Sequence, residues 1–154
     1  MSSASFLVDR VQLLSRLLLS FWLGAFLAVG ALVAPAIFDA AASSAQAGVV
    51  AGAVFDRLNI AGFGFAILIL GLQRPFFGWM TGLLGFVMLL ILLSQMWVTP
   101  QIELLREQSG GILVIGTSEY RAFWKWHGIS NVIFFAEAII VTIVLCLNFK
   151  ENQN

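Results

Sequence analysis

Long apolar runs separated by short polar breaks set the pattern of this chain. After Asp9 and Arg10, the run from Leu17 to Phe38 is almost wholly apolar. A spanning helix needs about 20 such residues, whereas the core of a cleaved signal has about 7–15. We read the run as a retained transmembrane helix with Pro35 at its end or at a kink, although Ala40, Ala41 and Ala42 keep cleavage open. Ser43 and Ser44 suit the N-cap of a second helix that continues through Asp56 and Arg57 to Leu72. Gln73-Arg74-Pro75 then reads as a tight polar turn, and Phe76 to Val98 as a third helix stopped by Pro100. Trp79 and Trp97 lie about 27 Å apart along that helix, which matches two interfacial aromatic belts. Ser109-Gly110-Gly111 ends a short polar helix from Gln101 to Gln108. Ser118 and Glu119 would cap a short interfacial helix, Tyr120 to His127, and the fourth span follows from about Gly128 to Asn148.

The expected architecture is therefore all-α. It is a single transmembrane domain, a four-helix bundle with a short interfacial helix before the last span. The spans fall at about 14–37, 47–72, 76–98 and 128–148, and the extramembrane loop at 99–127. Gly48 and Gly52, and again Gly78 and Gly82, have the GxxxG spacing that lets helix backbones approach closely in lipid.

Composition agrees with lipid as the surrounding medium. Of 154 residues, 60% are hydrophobic and only 10% are charged, against about a quarter charged in a soluble domain. Zero net charge leaves no basic surface for nucleic acid. Cys146 is the only cysteine and His127 the only histidine. Neither a disulfide nor bis-histidine haem ligation is available within the chain, and no phosphate loop, zinc motif or catalytic triad is present. We expect no enzyme activity, cofactor or metal. Lysine and arginine divide evenly between the two sides, so the positive-inside rule does not decide orientation. The relatively acidic long loop places the termini in the cytoplasm.

The candidate chemistry lies in the few polar groups that fall inside lipid, where ionisable residues are costly and mark function by default. Glu137 is about nine residues into the fourth span, about 13 Å deep. His127, Ser130, Asn131, Phe134 and Glu137 share one broad helix face. Asp56 and Arg57 on the second helix, and Gln95 near the end of the third, fall on the same membrane side. Arg57 reaches a depth similar to that of Glu137, so the geometry allows a pair between them. The opposing reading is that these groups serve only as hydrogen-bond glue between helices.

Several stretches resemble a known family. They are Trp22-Leu23-Gly24, Pro35 with Phe38, Ala47-Gly48 with Gly52 and Phe55, and Phe123-Trp124 with Trp126-His127-Gly128-Ile129-Ser130-Asn131. Together they are similar to the DUF4149 family, the small four-span proteins related to transmembrane protein 205. The resemblance implies an integral membrane protein and carries over no catalytic residue. The leading expectation is a non-enzymatic accessory or structural subunit in the bilayer, forming a homo-oligomer or joining a larger membrane complex through helix faces. The alternative is a small transporter or channel component that uses the intramembrane polar cluster.

Overall fold

Neither proline that falls within an apolar run ends its helix. In the computed structural model, which describes residues 3–72 and 78–151, helix α1 (Ser3–Ala28) passes through a π-helical turn (Val29–Val33) into α2 (Ala34–Ala40). Likewise α4 (Trp79–Leu93) passes through a π turn (Ser94–Val98) into α5 (Thr99–Gln108). Pro35 and Pro100 lie in the first turn of the helical segment that follows each π turn. Proline has no N–H and crowds the carbonyl four residues back. A π turn shifts the pairing by one residue: the amide of Ala34 reaches the carbonyl of Val29, and that of Thr99 reaches Ser94. The wider turn keeps the backbone bonded past the proline. The third rod thus runs through Pro100 to Gln108 instead of stopping near Val98.

Helices α3 (Ser44–Leu72) and α6 (Ser118–Glu151) are uninterrupted. The Ser43 hydroxyl accepts the amide of Gln46 at 3.2 Å, the N-cap read from the sequence. Thr117, one residue before the expected cap, accepts the amide of Tyr120 at 3.2 Å and starts α6. No separate interfacial helix precedes the last span. Residues 120–127 are the first turns of α6, because Gly128 alone, at about 1 kcal/mol, does not break a packed helix. Helix α5 ends in a glycine motif in which the amides of Gly110 and Gly111 bond the carbonyls of Glu107 and Arg106. Gly110 has φ +60° there, a conformation that glycine adopts without Cβ strain. The Gln73-Arg74-Pro75 turn and the expected start of the third helix at Phe76 lie outside the described residues.

Four helical rods are long and apolar enough to cross a membrane, so this is a multi-pass membrane protein in a lipid bilayer. Each of α1 and α4 packs between α3 and α6, closing an antiparallel four-rod bundle. Packing is tight at the end carrying the termini. Leu19, Trp22 and Phe26 of α1 meet Ala66 and Ile69 of α3, Leu84 and Val87 of α4, and Val141 and Val144 of α6. Arg16 ties this end shut. Its guanidinium donates to the Asn148 side-chain oxygen at 2.9 Å and to the Asn148 carbonyl at 2.8 Å, and it covers the Phe149 ring. A cation near the last carbonyls of α6 also suits the helix dipole.

Among the glycines, the tightest space is at Gly62 rather than at either GxxxG pair. A Cβ on Gly62 would lie 2.7 Å from Nε1 of Trp22, which is fully buried. By contrast, a Cβ on Gly52, Gly78 or Gly82 would meet nothing within 4 Å. We therefore expect Gly62→Ala to destabilise the protein by about 1–3 kcal/mol through overpacking. Adding Trp22→Phe should recover part of that loss. Thermal unfolding of the three variants in detergent checks both signs; equal melting of Gly62→Ala and wild type would contradict the packing described.

Candidate functional site

Beyond the two π turns the bundle opens. Neither α2 nor α5 buries a residue, whereas α4 beneath buries Met80, Leu84, Val87 and Ile91. The space left between the rods is a cavity of about 760 Å³ at the end that carries the loop 109–117. This is within the range of small-molecule sites. Helix α6 gives it one long stripe: Phe123, His127, Ser130, Phe134 and Glu137, spaced four, three, four and three residues apart, line it together. Helix α3 contributes Gly52, Phe55, Asp56 and Asn59.

Of the residues singled out by sequence, the cavity gathers Asp56, His127, Ser130, Asn131 and Glu137. Asn131 lies at its rim, exposed. Gln95 does not line the cavity; its amide donates to the backbone carbonyl of Asp56 at 3.5 Å. Arg57 is exposed and makes no pair with Glu137. Depth alone suggested that pair, but Arg57 follows Asp56 by one residue, and about 100° of helix rotation carries its side chain off the cavity face.

Glu137 forms the floor. It is 1% exposed, and its Oε1 has no hydrogen-bond partner among the described residues. The ring of Phe134, one turn above, lies edge-on to Phe55 at 5.2 Å and to Phe26 at 5.1 Å. His127 lies nearer the mouth, half-buried, stacked on Phe123 at 5.8 Å and edge-on to Trp124 at 5.5 Å. Sequence reasoning missed Asn59, Glu103, Arg106 and Tyr120, all of which line the cavity. Asn59 follows Asp56 by three residues, so the helical period already places it on the same face. Arg106 had no such signal, because only the continuity of the third rod past Pro100 brings it inward. A Cβ on Gly48 would lie 3.1 Å from an Arg106 guanidinium nitrogen, so this GxxxG glycine receives a side chain instead of a helix backbone. Outside the apolar region, Glu119 is fully exposed at the start of α6. Its own backbone amide and the Ser118 hydroxyl hold its carboxyl below the ordinary range.

A family model described as a domain of unknown function, DUF4149, matches residues 17–111, more than half of the chain. The chain belongs to the DUF4149 family. No curated protein matches it. No solved structure does either. The matched region of this DUF4149 protein supplies α3 and the π turns of the cavity, while the α6 stripe lies beyond it. Among the described residues, no three of His, Cys, Asp and Glu gather as a metal ion requires.

Two measurements test the site. In a Cys146→Ser background, Ser130→Cys should react with a membrane-impermeant thiol reagent applied from the loop side. Val132→Cys, on the exposed opposite face of α6, should stay protected in lipid. Equal protection of both would close the cavity to water. Glu137→Met should raise the melting temperature, since it removes a buried acceptor without a partner, worth about 1–3 kcal/mol. A fall of several degrees would instead make Glu137 structural glue.

Proposed function

We propose that this DUF4149 protein is a non-enzymatic membrane protein that takes a small molecule into its half-open bundle, as a small transporter or channel component. The observation that carries this reading is the cavity of about 760 Å³ whose floor is Glu137. A protein acting only as a scaffold has no use for a hollow of that size, nor for a buried carboxyl without a partner. Two further features support it. Aromatic rings line the walls, the usual surface of a small-molecule site. Each of the two interrupted helices places a π turn beside the cavity, at Gly30 and at Ser94, and π turns recur at functional sites.

Association with copies of itself or with a larger complex is a second reading. Gly82 and Gly85 are exposed on α4, as is Gly78 at its N-cap, and a Cβ on any of them would meet nothing within 4 Å. They leave a face on which another helix backbone fits closely. In both readings we place the termini in the cytoplasm. We also propose kinship with the transmembrane protein 205 group, on the Phe123-Trp124 to Asn131 stretch of α6.

Gly52→Phe separates the readings. Position 52 lines the cavity and has open space where a Cβ would go, so a side chain there starts into the hollow. We expect Gly52→Phe to fold at least as stably as wild type. It should abolish every thermal shift that a panel of cationic, neutral and anionic small amphiphiles produces with wild type. A panel that leaves wild-type melting unmoved, with the native mass unchanged by Gly52→Phe, overturns the ligand reading and leaves the association reading.

A further inference from the structure

The cavity is acidic in depth and basic only at its mouth. No ion pair to Glu137 is present among the described residues. The Phe55–Phe134 contact sets the relative heights of α3 and α6. On that scale Glu137 is level with Leu58, while Gly48 and the Arg106 guanidinium beside it are about 15 Å nearer the mouth. His127 is ten residues, also about 15 Å, above Glu137. Arg57 points away, and Arg16 is engaged with Asn148 at the other end of the bundle. Between mouth and floor the remaining charged groups on the walls are the carboxyls of Asp56 and of Glu103, which lies three residues before Arg106 on the third rod. A carboxylate in a low-dielectric interior without a counter-charge is costly, and a cation brought by a ligand removes that cost.

The walls specify the rest of the ligand. Phe55, Phe134, Phe123, Trp124 and Tyr120 all face the cavity. Aromatic faces attract a cation through the ring quadrupole, and they accept an apolar body equally well. The cavity also has an edge on the lipid side. Helix α2 packs on α3 and α5 packs on α6, while Phe38 of α2 and Asn131 and Phe135 of α6 line the cavity with exposed side chains. A molecule already dissolved in the bilayer would enter the cavity by this edge, between α2 and α6.

We propose that the Glu137 cavity binds a hydrophobic organic cation, an ammonium group on an aromatic or branched apolar body, with the ammonium against Glu137. The proposal rests on the reading of the cavity as a ligand site and adds the charge and shape of the ligand. An anionic ligand is disfavoured because its charge would stop at Arg106, leaving Glu137 unpaired below it.

The test uses the full chain in phosphatidylcholine nanodiscs, whose lipids carry no net charge, and three probes of matched shape. They are benzyltrimethylammonium, its neutral carbon isostere neopentylbenzene, and phenylmethanesulfonate. Thermal shift and equilibrium dialysis read binding. We expect wild type to bind the ammonium in preference to both others. Glu137→Gln should stay folded by its own melting curve and bind the ammonium at least about tenfold more weakly. Glu137→Asp, which keeps the charge, should retain part of the affinity. If the neutral isostere or the sulfonate binds wild type as well as the ammonium does, or if Glu137→Gln leaves ammonium affinity unchanged, the cation assignment falls while the cavity stands as a ligand site. If none of the three binds and Ser130→Cys is also protected from water, both fall together.

Discussion

A proline inside a spanning helix leaves a carbonyl without its donor, in a medium that offers no water to replace it. Lipid tolerates such a gap only where the backbone re-pairs locally or faces protein or a wet cavity. Both apolar rods that contain a proline meet this constraint in the same way, with a π turn placed immediately before it. The rest of the architecture follows. Each extra residue in the turn rotates the helix beyond it, so α2 and α5 continue as helix yet bury nothing, while α1 and α4 below them form a dense core. The same two turns that save the backbone hydrogen bonds also separate the rods, and the cavity is that separation.

The sequence displayed the rods and concealed their joints. Apolar run length is a strong signal, because a bilayer sets the number of residues it needs; four rods and the N-cap at Ser43 were legible for that reason. Proline is read from soluble proteins as a stop, so the continuation of the third rod to Gln108, and with it the inward position of Arg106, was not. Helical period placed His127, Ser130, Phe134 and Glu137 on one stripe correctly. Depth, used without rotation, allowed an Arg57–Glu137 pair that the structure does not form. The GxxxG spacing was also silent about partners: Gly48 meets a guanidinium and Gly52 an open space, while Gly62, in no such motif, takes the tightest contact of all.

Dense packing and open space are divided between the two ends of the molecule. The end near the termini holds Trp22 against Gly62 and Arg16 against Asn148, contacts that leave little room for adjustment. The loop end holds three glycines with positive φ, at Gly110, Gly111 and Gly116, and an apolar tip in which Ile112, Val114 and Ile115 are exposed. Side chains of that kind suit the headgroup boundary, where they anchor a loop over the mouth of the cavity. On the proposed reading, a rigid base beneath a loosely packed rim would let a guest enter without unfolding the bundle, because few buried contacts would be lost if the rim moved.

The clasp between Arg16 and Asn148 joins residues 132 positions apart. A ribosome therefore delivers the second well after the first. While the three earlier rods are entering the bilayer, the guanidinium must be held by water or by lipid phosphates, and it exchanges them for Asn148 only once α6 has been made. The base of the bundle therefore closes only after the fourth rod is in place, so a chain without the turn of α6 around Asn148 would keep its membrane spans and lack the latch that joins them.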